Sequence, residues 1–203
     1  MIPIELLIEK GAIIKKVEAG EVLFQENSLS SHYYQLLTGR VRISNFLADG
    51  KEVLHKIIGV NEGCGHVCVF GDGVHVVSAI ADVPSTLLKI SAPHFIEIMK
   101  ENSDLLILFT QKIAKDLRFK LFLTKLICNH CPEEIITKLI QIFNEDGKLV
   151  CQECNRLMLT RQQLANMTGM RVETIIRTMK QMARENKLNI IKGKVFIPAD
   201  GID

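Results

Sequence analysis

From about Val17 to Ile90 the apolar positions come in short or alternating runs: VLF, YYQLL, VRISNFL, VLHKII, VSAIA and TLLKI. Gly, Asn-Ser, Asp-Gly and Pro punctuate them, and that spacing predicts an all-β barrel or sandwich. Gly20 and Gly39 fall where tight turns are expected, and Asp49-Gly50 between two such runs is a hairpin signal. From Ala92 the period changes to that of a helix, with Pro93 suited to a first turn. Leu106, Phe109, Ile113, Leu117 and Leu121 recur every three or four residues as one stripe on a helix from about Ser103 to Ile127. At 1.5 Å per residue that helix is about 37 Å long. Leu105, Leu108, Phe119, Phe122, Leu123 and Leu126 lie off the stripe. A helix apolar on more than one face needs more than one partner, so the stripe predicts dimerisation with a second copy.

Pro132 opens a further helix with acidic residues in its first turn, and Gly147 closes it. The strand-like segment KLVCQECNRLML follows. Thr160 is then a candidate N-cap, with Gln163 at capping-box spacing. Gly169 makes a turn, Arg171 to Lys187 reads as a helix, and Asn189 to Pro198 reads as a hairpin.

Charge sharpens the picture. The 203-residue chain carries a net +2, but from Arg156 to Asp203 there are nine Lys/Arg against four Asp/Glu. The first 155 residues hold the other 16 basic and 19 acidic side chains, a net −3. A basic final quarter on a mildly acidic body points to a polyanionic partner for that quarter. The sequence shows no apolar run of membrane-spanning length, and its N-terminus lacks the features of a signal peptide, so the cytoplasm is the expected compartment. An enzyme is not expected. No P-loop, G-x-S-x-G, H-E-x-x-H or G-x-G-x-x-G element is present, and a CxxC thiol oxidoreductase would lack its βαβ context.

Helix, Gly-containing turn, helix is the helix-turn-helix pattern. Leu164 and Ala165 of the first helix and Ile175, Met179 and Met182 of the second are its expected core. Arg171, Glu173, Thr174, Arg177 and Lys180 then project outward near the start of the second helix, where side chains reach base edges in the major groove. Arginine suits guanine, and glutamate accepts from the cytosine amine. Lys192 and Lys194 on the following hairpin are placed for phosphate.

The segment LTRQQLANMTGMRVETIIRTMKQM resembles the DNA-binding helices of Crp/Fnr-family transcription regulators, in which a TRQ-(I/L)-A helix precedes a G-x-x-R-E-T-x-x-R recognition helix. The resemblance places Thr160, Arg161, Gln162, Arg171, Val172, Glu173, Thr174, Arg177, Lys180 and Lys192 at the DNA. Val172 stands where many members have Arg, with Arg171 as its substitute, so the operator need not be the family's usual one. GEVLFQENSLSSHYYQLLTGRVRISNFLADGKE is similar to the family's cyclic-nucleotide-binding barrel. The implied fold is α+β: an N-terminal double-stranded β-helix (jelly-roll-like) sensor over 1–102, a dimerisation helix and hinge over 103–130, and a winged helix-turn-helix over 131–203. The implied function is homodimeric, effector-controlled regulation of palindromic operators on double-stranded DNA, with RNA polymerase as a further partner.

The sensor departs from the family pattern. Nucleotide-binding members use a Glu for the ribose and an Arg for the cyclic phosphate. Here the cassette reads CGHVCVFGDGVHVVSAIA. His66 replaces the Glu, and the Arg position falls at His75 or Val76, with Val77 as a further residue of the pocket. Lys56 is the one basic Lys/Arg between Glu52 and Lys89, so cyclic AMP is not the expected effector. Cys64-Gly65-His66 is similar to the Cys-x-His element of haem-containing carbon-monoxide sensors of the superfamily, and both side chains are haem-iron ligands. A degenerate pocket or a different small effector is the other reading. Finally, Cys128-x-x-Cys131 and Cys151-x-x-Cys154, with 19 residues between the pairs, have the spacing of a four-thiolate zinc site. An iron–sulfur cluster, a thiol–disulfide switch and unrelated thiols remain alternatives.

Overall fold

The computed structural model describes residues 2–198 and 201–202, so the outermost bounds of the expected segments, 1 and 203, lie outside the described residues. The chain divides into two compact units, one ending at Leu117 and one starting at Arg118. No helix among the described residues is long and apolar enough to cross a membrane.

The first unit begins with α1 (Ile4–Glu9) and continues through β1 (Ile13–Val17), β2 (Val22–Phe24), β3 (His32–Phe46), β4 (Glu52–Ile58), β5 (Gly63–Cys64), α2 (His66–Val69) and β6 (Ser78–Ser91). The strands form one antiparallel sheet of order β1-β6-β3-β4, with β2 beside β6 and β5 beside β3. Four runs of the sequence pattern merge into two long strands here. Gly39 is not a tight turn but part of β3, where the register against β6 shifts repeatedly between Leu36 and Val41. Its φ of 95° suits glycine, and a Cβ there would lie 2.2 Å from Ser85 Oγ. Such bulges bend a long strand and let it wrap around a core. Asp49-Gly50 does close a hairpin: Leu47 N–H donates to Lys51 O at 2.9 Å.

The pleat separates two clusters. Tyr34, Leu36 and Val41 face inward with Leu23, Phe24, Ile58, Cys64, Ala79, Ala81 and Leu87. Tyr33, Leu88 and Ile90 face outward and meet Leu7 of α1, Phe95, Ile98 and Met99 of α3 (Ala92–Glu101), and Phe109 of α4 (Ser103–Cys128). Ser91 caps α3 by accepting from His94 N–H. Phe109 was expected on the dimer stripe, but it is 7% exposed and packs edge-on against Phe95 at 5.5 Å. The aromatic surface of α3 and β3 offers it more apolar contact than a seam does. Leu106, Ile113, Leu117 and Leu121 of the same stripe remain exposed, at 37–64%.

The second unit holds the end of α4, α5 (Pro132–Glu145), α6 (Arg161–Thr168), α7 (Val172–Arg184), β7 (Asn189–Ile191) and β8 (Lys194–Phe196). The buried face of α5 comprises Ile135, Ile136, Leu139, Ile140 and Phe143, and the Phe143 ring meets Phe119 of α4 at 6.3 Å. Ile175, Met179 and Met182 of α7 are at most 1% exposed. Lys187 ties this core to α5 through Glu133 at 2.5 Å, and both Glu133 and Glu185 hold its ammonium charged.

Candidate nucleic-acid interface

Local chemistry fixes where α6 and α7 begin. Thr160 Oγ1 accepts from Gln163 N–H, and the Gln163 side chain accepts from Thr160 N–H, both at 3.0 Å. This reciprocal box satisfies two of the donors a helix start leaves unpaired. Thr160 therefore serves the helix, while its neighbours face outward. Gln162 is exposed and donates to Asn166 Oδ1 at 2.8 Å. Arg161 donates to the carbonyl oxygen of Gly193 in the turn of the β7–β8 hairpin. That contact joins the first helix to the hairpin, and nothing in the one-dimensional pattern pairs the two residues.

Gly169 ends α6 at φ 73°, and Arg171 in extended conformation starts α7. The Arg171 side chain is exposed. Glu173, Arg177 and Lys180 are exposed and recur at helical spacing on the side of α7 opposite Ile175, Met179 and Met182. Val172 and Thr174 are half-buried at the start of the helix. Exposed Ile176, Gln181 and Arg184 extend the same face. The sequence reading stopped at Lys180, although Arg184 continues the spacing of four. In the hairpin, Lys192 and Gly193 both have positive φ, 47° and 76°, the geometry of a two-residue turn matched to strand twist. Lys192 and Lys194 are exposed there. The arrangement presents cationic and hydrogen-bonding side chains on a rigid helix, with further cations on a hairpin held by Arg161.

The cassette of the first unit has the opposite character. Gly65 opens α2 at φ 91°, and a Cβ on it would lie 2.6 Å from His32 O. His66 is 8% exposed, T-shaped against Phe109 at 5.0 Å and tilted against Tyr33 at 6.3 Å. Its Nδ1 has no hydrogen-bond partner among the described residues. Burial first, and then the nearby Lys56 ammonium, push its pKa down to about 4. The buried Cys64 thiol sits in the inward cluster, and burial pushes it up to about 12. Cys64 lies in the inward cluster, whereas His66 packs on the rings of Tyr33 and Phe109. The positions expected for the Arg of a cyclic-nucleotide phosphate site carry no guanidinium. Val77 packs against the barrel core, Val76 is 55% exposed, and His75 stacks on Phe24 at 3.9 Å with its pKa lowered by burial. Neighbouring cations are committed. Arg40 pairs with Asp82 at 2.6 Å, Arg42 with Glu52 at 2.8 Å, and Lys56 with Asp116 at 2.7 Å.

The four paired cysteines do not assemble. Among the described residues there is no group of three or more His, Cys, Asp or Glu able to hold a metal ion. Cys128 ends α4 and Cys131 precedes α5, both exposed. A four-thiolate closure would need the segment after α5 to run back along that helix. Instead Gly147 turns it, and it folds at once into a tight hairpin in which Met158 N–H donates to Leu149 O at 2.8 Å and Cys151 N–H to Arg156 O at 2.9 Å. Cys151 and Cys154 occupy the tip of that hairpin. The Cys151 thiol accepts from the backbone N–H groups of Cys154 and Glu153 and bonds the Cys154 thiol, which together lower its pKa.

Residues 14–102 match the cyclic nucleotide-binding domain, and residues 135–199 match the Crp-like helix-turn-helix domain. The chain is 21% identical over 187 residues to the cAMP-activated global transcriptional regulator CRP of Haemophilus influenzae, covering 91% of this chain and 83% of that protein. It is 23% identical over 181 residues to the nitrogen fixation regulation protein FixK of Bradyrhizobium diazoefficiens, covering 88% and 75%. The solved structure of FixK2 from Bradyrhizobium japonicum superposes with a TM-score of 0.77 at 15% identity, over 92% of each chain, a likeness of fold.

Proposed function

The chain belongs to the Crp/Fnr family of transcription regulators, and from that premise we propose that it acts in the cytoplasm as a homodimer that reads a two-fold symmetric operator. It is a regulator with a helix-turn-helix DNA-binding domain and not an enzyme. The observation that carries the proposal is the α7 face: Glu173, Arg177 and Lys180 stand exposed above a core of Ile175, Met179 and Met182. Entering the major groove, that face sets Arg177 to donate two hydrogen bonds to guanine and Glu173 to accept from a cytosine amine. Arg171 and Lys192 meet phosphate, which fixes the register without reading sequence. RNA polymerase is the further partner of such a regulator at a promoter.

Dimerisation runs through α4. Leu106, Ile113, Leu117 and Leu121 form an exposed apolar line at 3.5-type spacing. An unpartnered line of this length in water is costly, and a second copy covers it with the same residues. The effector is not cyclic AMP in its usual mode. The positions of the Glu and Arg that would hold ribose and phosphate carry His66 and either His75 or Val76, and Arg40, Arg42 and Lys56 are each paired with a carboxylate. Control therefore rests on a different ligand or a chemical change that favours one pose of the recognition helices over another.

The test is enrichment of duplexes by the purified chain from a pool with a randomised core. The expected product is an inverted repeat with half-site centres about one helical turn, roughly 10 base pairs, apart. Enrichment of asymmetric sites, or none above a non-specific background, refutes the proposal.

A further inference from the structure

Six cysteines lie in this chain, and only one pair is arranged for chemistry of its own. Cys64 and Cys68 are buried, and burial raises both thiols. Cys128 and Cys131 are exposed but sit at the end of one helix and the start of the next. Cys151 and Cys154 differ. They face each other across a tight hairpin tip, with the Cys151 sulfur accepting from two backbone N–H groups and from the neighbouring thiol. Asn155 closes the turn at φ 54°, and its N–H donates to Cys151 O at 2.8 Å. Cys154 is exposed and Cys151 partly so, and a small solute reaches both.

The tip is also joined to the β7–β8 hairpin. Ile197 N–H donates to Asn155 O at 2.9 Å, Leu157 N–H donates to Val195 O at 2.9 Å, and Arg156 bridges Phe196. The residue after Cys154 thus holds the strand that runs from the turn carrying Lys192. Two thiols in reach of each other, a polarised attacking sulfur and a mechanical link to the phosphate-binding hairpin coincide in five residues.

We propose that Cys151 and Cys154 form a modification site, a dithiol that a hydroperoxide converts to an intrachain disulfide and that thereby alters DNA binding. The effect on DNA rests on the functional reading above; the covalent step does not. Cys151 thiolate attacks one peroxide oxygen, the O–O bond breaks, and the other oxygen leaves with a proton as water or alcohol. Cys151 is then a sulfenic acid. Cys154, having given up its proton, attacks the Cys151 sulfur, and the S–O bond breaks to release hydroxide, which takes that proton to become water. The two sulfurs lose two electrons and the peroxide gains them. The product fixes the sulfurs at about 2.05 Å and removes the thiolate that the Glu153 and Cys154 N–H groups were bonding. The tip must therefore rearrange, and Asn155 transmits the change to Ile197. A metal is the weaker use of these thiols: a structural zinc site takes four ligands, and only these two are assembled.

The experiment uses the full chain, purified anaerobically and reduced, then treated with stoichiometric hydrogen peroxide and alkylated for peptide mass spectrometry. The expected result is loss of two hydrogens confined to the peptide carrying Cys151 and Cys154, with Cys128 and Cys131 still alkylated. In Cys154→Ser, dimedone labels Cys151; in Cys151→Ser it labels nothing at Cys154. Affinity for a duplex enriched by the reduced chain changes by about fivefold or more on oxidation, and the double Ser variant does not respond. A disulfide at Cys128–Cys131 instead, no intrachain disulfide, or bound zinc lost in Cys151→Ser overturns the site. A mapped disulfide with unchanged DNA affinity overturns the control. A reduced chain that enriches no duplex refutes the DNA-binding reading and leaves the disulfide map to decide the site alone.

Discussion

Replacing His66 by Leu should remove a large part of the sensor unit's sensitivity to mild acid, leaving the smaller part due to His75. His66 is buried between Phe109 and Tyr33, and its pKa lies near 4 instead of the ordinary 6.5. The charged groups around it are Lys56 and Lys112, which disfavour its cation, and Asp116, which favours it; burial exceeds all three. A base whose folded pKa is depressed contributes its full stability above its unfolded pKa. That stability drains away as pH falls from 6.5 toward 4, because the unfolded chain takes up the proton first. The total is about 3 kcal/mol, of which about 2 kcal/mol is lost by pH 5. Urea unfolding at pH 7.5 and pH 5 measures it. The only two tyrosines, Tyr33 and Tyr34, both lie in β3 and the chain has no tryptophan, so tyrosine fluorescence reports this unit alone. The gap between the native chain and His66→Leu should move by about 2 kcal/mol in the variant's favour between the two pH values, a midpoint shift of roughly 1 M. A gap that does not change with pH would refute the burial argument.

Arg177→Ala should cost about 1–3 kcal/mol on the enriched operator and little on scrambled DNA, whereas Lys192→Ala should weaken both and lower the salt slope by about 1; titrations at several salt concentrations separate the two. Leu117→Glu with Leu121→Glu should leave the sensor's urea midpoint intact and convert the sedimenting species to monomer, since both side chains are exposed at 58% and 64% in one copy. Thr160→Ala removes half of the capping box of α6 and should cost about 1 kcal/mol, read as a lower melting temperature of the DNA-binding unit.

The second unit was the more legible. A capping residue with its Gln three positions on, a turn glycine and a 3.6-residue period are local signals, and the helix-turn-helix depends mainly on local geometry. Its exposed face followed from the same period, because what is not buried at Ile175, Met179 and Met182 must point out. Three matters escaped. Arg161 reaches Gly193, 32 residues away, a contact no period encodes. The cysteine spacing allowed a four-ligand closure, and the chain turned back into a hairpin before reaching it. Gly39 looked like a turn, and the pairing of β3 with β6 on both sides of it made a bulge instead.

The sequence by itself determined a strand-rich first part, the helices that follow it and the outward-pointing positions of α7, because each depends on residue type at a position or on short-range periodicity. Only the tertiary structure decided how far along α4 the stripe is covered, sending Phe109 to the sensor core and leaving Leu117 and Leu121 outside. It alone decided that His66 is buried against Phe109 and Tyr33, and that Cys151 finds Cys154. Burial and partner choice are set by which surfaces distant segments bring together, and a chain read one residue after another carries no distance between them.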